Sequence, residues 1–186
     1  MNQLRRIAYH EAGHGVLSAA LNDAPRLLSI RETQESLGRS RYEMDVGPKV
    51  RVQIHLGGFA AEEILTGHPA RQFMGPDLRG SIYAHTHAVE EFVVCRFRSC
   101  DQYLAIEELL LMGCPREELS LRNEIAQFYD ISKRSLKAVW PAVVSVTRAL
   151  LKHGELDRRA FNAAVAGHDV YRVIDVQREC GISGKG

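Results

Sequence analysis

Long hydrophobic runs are missing from this chain. The strongest, Val139 to Val146, is short and broken by Pro141, far from the ~18–20 apolar residues of a membrane span. A charge of one sign is missing too: 24 basic residues face 23 acidic ones, for a net charge of +1. That balance gives no reason to expect a nucleic-acid or acidic-lipid partner. The four cysteines, Cys95, Cys100, Cys114 and Cys180, never fall in C-x-x-C spacing, which speaks against a zinc knuckle. No secretory leader precedes the first motif, so reduced, packed thiols and a cytoplasmic setting are expected. There is no G-x-x-x-x-G-K-[ST] loop for nucleotide phosphates, and Gly181 to Gly186 lacks its spacing. Internal repeats and low-complexity tracts are likewise absent. An apolar content of 45% in 186 residues is that of one ordinary core.

What the chain does have stands at its start: His10-Glu11-Ala12-Gly13-His14. This is H-E-x-x-H, which on a helix stacks two imidazoles one turn apart with a carboxylate beside them. Residues four apart lie about 5–6 Å from each other, so His10 and His14 can grip one ion. Zinc accepts such nitrogens and in catalytic sites keeps a position open for water. Glu11 is then placed to take a proton from that water. The bland alternative is a helix face with two solvated or core histidines. Leu4, Ile7, Ala8, Val16, Leu17, Ala20 and Leu21 recur at helical spacing around the motif. Gly13 costs helix stability, and one physical reason to keep it is close approach of another backbone, from a packed helix or a substrate strand. Intramembrane proteases also carry H-E-x-x-H, but the missing apolar run argues against them.

The periodicity predicts a mostly helical chain with a small β element near the metal motif. A first helix covers 2–22. Arg26 to Arg31 and Gly38 to Met44 alternate weakly as short strands, the kind of edge to which an extended peptide adds. Pro48 opens a second helix that Gly67 stops. A third starts near Asp77 and runs toward Phe97. Gln102 to Met112 is helical and is ended by Gly113, Cys114 and Pro115. Glu118 to His153 forms one long helix, bent near Pro141, and Asp157 to Ala166 a short one. The tail, 181–186, is frayed.

Two histidines do not complete a zinc site. The longer pattern H-E-x-x-H-x-x-G-x-x-H fails, since Leu17 and Ala20 occupy its later places. Glu62 and Glu63 on the second helix and Asp77 at the start of the third are candidate ligands, and spacing leaves the choice open. His85 and His87, two apart, point to different helix faces.

The motif at 10–14, the stretch Leu56-Gly57-Gly58-Phe59-Ala60-Ala61-Glu62-Glu63-Ile64-Leu65-Thr66-Gly67, and Asp77-Leu78 together resemble the peptidase domain of FtsH-type zinc proteases. Order and approximate spacing agree. Ser135-Leu136, Ala149-Leu150-Leu151 and Leu156 are similar to its C-terminal helices, so the likeness covers roughly residues 6–165. It implies a single zincin-like helical peptidase domain over 1–186. Residues 1–98 are then the metal-binding part and 102–166 a helical C-terminal bundle. It also implies Zn²⁺ on His10, His14 and Asp77, Glu11 as general base, and Glu62 and Glu63 as supporting residues around the ligands. The family assembles as hexameric rings, so a homo-oligomer is an expectation. The segment Met74-Gly75-Pro76-Asp77 is shorter than the family's glycine-rich one, and the ATPase module is missing, which points to a separate ATPase partner.

The expected activity is therefore zinc-dependent hydrolysis of peptide bonds in unfolded or flexible polypeptides. Glu11 would take the water's proton and pass it to the leaving amine. The competing expectation is a catalytically silent zinc-binding regulatory module, for which the missing ATPase speaks. The intact Glu11 speaks against it, because structural zinc needs no base. Selectivity would lie in the loop from Arg31 to Arg41 and in the mouth around His68 to Met74.

Overall fold

Asn2 starts the first helix because its side-chain oxygen accepts the Leu4 N–H at 3.0 Å, satisfying one of the donors a helix start leaves open. α1 then runs Gln3–Leu21 and ends where the Asn22 N–H bonds the Ser18 carbonyl. The structure is a computed structural model that describes residues 2–31, 38–41, 46–68, 76–86 and 100–180; the side chains of Arg39, Ser40, Pro76 and Asp77 lie outside that description, as does the expected frayed tail.

α2 spans Pro48–Thr66, with proline at its start and Gly67 at φ 71° closing it, as the sequence indicates. α1 and α2 touch backbone to backbone. A β-carbon on Gly13 would collide with the Gly57 carbonyl oxygen, and one on Gly57 would come within 3.0 Å of the Gly13 carbonyl oxygen. A packed helix, not a strand, is thus the close neighbour Gly13 is there to admit. Two glycines placed opposite each other lose helix stability, and in return α2 lies close enough for its side chains to reach the histidines of α1.

The sheet is small and has the order β2-β1-β3, antiparallel throughout. β1 is Leu27–Ser29, β2 is Arg39–Arg41 and β3 is Glu155–Asp157. Leu28 faces Ser40 on one side and Leu156 on the other. Both expected strands are present: β1 is shorter than Arg26 to Arg31, and β2 falls within Gly38 to Met44, whose last three residues lie outside the described ones. β3 was not expected, because three residues carry too little alternation to register as a strand.

α3 covers Pro76–Thr86; the rest of the expected third helix lies outside the described residues. α4 is Asp101–Leu111. The single long helix expected over 118–153 is instead two, α5 (Glu118–Ala138) and α6 (Trp140–His153), separated at Val139 with φ −120° and ψ 23°. Pro141 explains the break: it lacks an N–H and disfavours helical geometry just before it. α7 spans Arg158–Val165 and is capped by Asp157, which accepts the Ala160 N–H at 2.7 Å. α8, Arg172–Glu179, was also not expected.

Side chains from all eight described helices and from β1 and β3 share one apolar core, among them Leu17 of α1, Leu28 of β1, Ile54 of α2, Leu78 of α3, Ile106 of α4, Ile125 of α5, Leu150 of α6, Leu156 of β3, Phe161 of α7 and Val173 of α8. The fold is mostly α with a small β element. Among the described residues no helix is long and apolar enough to cross a membrane.

Candidate metal centre

His10 and His14 sit one turn apart on α1, their ring centroids 4.7 Å apart and their planes at 78°. Their Nε2 atoms lie 3.0 Å from each other. The Asp101 carboxylate approaches both, with Oδ2 3.0 Å from His10 Nε2 and 3.3 Å from His14 Nε2. Asp101 is the first residue of α4, where a carboxylate is favoured by the positive end of the helix dipole. These three donors form the one group able to hold a metal ion among the described residues.

The opposite sides of both rings are occupied. His14 Nδ1 donates to the Ile54 carbonyl at 2.6 Å; a carbonyl only accepts, so this nitrogen carries the hydrogen. His10 Nδ1 donates to Glu62 at 2.7 Å, and Arg6 holds the other Glu62 oxygen at 3.2 Å. Anchoring both Nδ1–H groups leaves both Nε2 lone pairs pointing inward, the orientation that metal-binding histidines take from their partners. Phe59 packs edge-on against His10 at 4.9 Å.

Three acceptor atoms therefore converge, and acceptors repel unless a cation or a proton lies between them. Two nitrogens bound at 2.0–2.1 Å to a tetrahedral ion stand about 3.3 Å apart, close to the spacing here. Nitrogen and carboxylate donors suit zinc. Gly58 completes the cradle, because a β-carbon on it would lie 2.5 Å from both Nε2 atoms. The residues fit the ion.

Without a metal a proton takes the central role. Burial alone would lower the pKa of His10, but its hydrogen bonds to Asp101 and Glu62 outweigh burial and raise it to about 10. His14 is raised as well, against its own burial, chiefly by the Asp101 charge. Asp101 is held well below the ordinary carboxylate range: the charges and hydrogen bonds of the two histidines overcome a burial that works the other way. His55, one turn before Gly58 on α2, takes no share of this charge; burial lowers its pKa to about 4.

Glu11 is 6% exposed and its carboxylate lies against the backbone of Gly38, just ahead of β2. The side chains of His10 and Asp101 are 16% and 24% exposed, so the cluster is reached from solvent.

The sequence-derived candidates separate clearly. His10 and His14 lie one turn apart on one face of α1, as the motif spacing predicts, and Glu11 is buried on the same helix. Glu62 supports His10 from the Nδ1 side instead of joining the inward-facing donors. Glu63 turns away to α5, accepting from the Tyr129 hydroxyl at 2.6 Å and from Lys133 at 3.2 Å. Asp77 heads α3, its side chain outside the described residues. His85 bonds the Ser81 carbonyl and packs on Tyr103, and His87 lies outside the described residues. Asp101 was not anticipated, since it stands 91 residues from His10 and belongs to no local motif. Gly58 left a trace: a glycine pair inside a helix is costly unless something must come close.

No protein-family model matches this chain, and no curated protein matches it.

Proposed function

We propose that this chain is a zinc-dependent endopeptidase acting on unfolded or flexible polypeptides, related to the FtsH-type peptidases it resembles. The observation that carries the reading is the convergence of His10 Nε2, His14 Nε2 and Asp101 Oδ2, with both Nδ1 atoms anchored from behind and Glu11 next in sequence to a ligand. A zinc ion bound by this donor set would supply Lewis acidity and lower the pKa of a bound water to about 7.

The chain's own groups do the rest. Glu11 accepts the proton of the attacking water and delivers it to the leaving amine. Glu62 and the Ile54 carbonyl hold the two rings in the ligating tautomer. Among the described residues β2 pairs with β1 alone, so its other edge suits the main chain of an extended peptide, next to Glu11. A cytoplasmic setting, assembly with further copies and service to a separate ATPase belong to the same reading.

The test is incubation of zinc-loaded protein with unfolded casein, with and without a chelator. Cleavage that the chelator abolishes is expected. Glu11→Gln should keep zinc and lose cleavage, whereas His14→Ala should lose zinc. Asp101→Asn and Asp77→Asn identify the acidic ligand by which of them loses zinc. Zinc binding with no chelator-sensitive cleavage would overturn the peptidase reading in favour of a silent zinc module.

A further inference from the structure

The carboxylate of Glu11 lies against Gly38, a residue with no side chain. A β-carbon added to Gly38 would meet Glu11 before anything else: Oε1 nearest, then Cδ at 3.0 Å and Cγ at 3.1 Å. All three nearest atoms belong to this single side chain. Gly38 does not need to be glycine for its own conformation, since the glycines at positive φ are Gly67, Gly113, Gly154 and Gly167. Space is what requires it.

We infer that Gly38 is a positioning residue for the base: its bare backbone is the surface against which the Glu11 carboxylate is seated beside the metal cradle. The inference rests on the peptidase reading for its catalytic consequence but not for its geometry. Gly38 leads directly into β2, whose register is fixed by β1, with Ser29 opposite Arg39 and Leu27 opposite Arg41. β1 is held in turn by β3, and the Ile30 N–H bonds the Gly154 carbonyl at 2.9 Å. The seat is thus part of a three-stranded sheet, while Glu11 is carried by α1. The sheet and the helix meet at this contact.

The nature of the clash decides what a substitution does. The atoms that an added methyl would strike are the end of a flexible side chain and not a backbone, so the carboxylate gives way and the fold does not. A misplacement of about 1 Å at a reacting group can cost roughly 100-fold in rate. Gly38→Ala should therefore leave the melting temperature, the zinc affinity and KM close to wild type and lower kcat by roughly 10–100-fold.

The experiment is a double-mutant cycle with crystal structures of its members. Gly38→Ala should slow turnover strongly beside Glu11 and change the residual turnover by less than about twofold in the Glu11→Ala background, which lacks the Cγ, Cδ and Oε1 atoms that the methyl would meet. In crystals of Gly38→Ala the Glu11 carboxylate should be displaced by about 1 Å. Equal fold losses in both backgrounds, or a Glu11 carboxylate that stays put while residue 38 backs away, would overturn the inference. If the wild-type protein cleaves nothing, the peptidase reading falls, and the displacement in the crystals alone decides whether Gly38 seats Glu11.

Discussion

Gly58 abuts the inward-facing nitrogen of His14: a β-carbon there would lie 2.5 Å from His14 Nε2 and the same distance from His10 Nε2. The space an ion would take between the histidines is thus defined as much by what α2 omits as by what α1 supplies. Gly58→Ala should cut zinc affinity by at least about 10–100-fold, the scale of losses when the surroundings of a ligand are disturbed. The nearest atoms to the added methyl are all ring atoms of the two histidines, so the fold should survive. Zinc titration alongside melting of the metal-free protein checks this; a variant that binds zinc as the wild type does would remove Gly58 from the site.

Zinc affinity should climb with pH. The metal-free cluster holds a proton on His10 up to about pH 10, and that proton must leave for Nε2 to bind an ion. Each displaced proton adds about tenfold in affinity per pH unit below that value. The same shift acts on the metal-free fold in the opposite sense. Since His10 binds its proton more tightly when folded than its ordinary 6.5, its stabilising contribution is complete below pH 6.5 and is lost as pH rises toward 10. Competition with a chelator across pH 6–9 should show the climb, and a flat profile would contradict the proton's place in the cluster.

His55 should limit stability on the acid side. Its folded pKa of about 4 lies below the ordinary 6.5, so between those values the unfolded chain takes up a proton that the folded chain refuses. Stability then falls as pH drops from 6.5 to 4, by about 3 kcal/mol at the lower end at ~1.4 kcal/mol per pKa unit. Denaturant unfolding of wild type and His55→Gln across this window tests the point: the variant should show a shallower slope, and equal slopes would disprove it.

Tyr129→Phe should destabilise the fold without touching the ion. The hydroxyl reaches Glu63 at 2.6 Å and the Phe59 carbonyl at 3.2 Å, and burial together with the Glu63 charge keeps it protonated by raising its pKa. Its removal leaves buried acceptors short of a donor, a loss of about 1–3 kcal/mol. That corresponds to several degrees in melting temperature for a chain of this size. Zinc stoichiometry should be unchanged, and loss of zinc would mean that Glu63 belongs to the centre after all.

Local spacing carried part of this site and not the rest. His10 and His14 could be read because four residues make one helical turn, and Gly13 because a costly glycine asks for a reason. Glu62 could be listed among ligands but not assigned its true contact, since which ring nitrogen it meets depends on how α2 crosses α1. Asp101 was invisible because α4 reaches α1 only through tertiary packing, and nothing near residue 101 hints at metal. The same limit applies to β3, whose partner Leu28 lies far away in sequence. At Val139 the signal was on the page, since Pro141 marks a break as readily as a bend, and choosing between them needs the packing of α5 and α6.

Gln177 of α8 and Gln53 of α2 are both buried and exchange side-chain hydrogen bonds, one of them 3.0 Å long. Gln177 also reaches Ser135 on α5 at 3.2 Å. Gln53 belongs to the same helix as Ile54, Gly58 and Glu62. Trimming the chain ahead of residue 177 would strip that helix of an amide clasp on its far face, so damage at the carboxyl end would be felt as a loosened grip on the imidazoles.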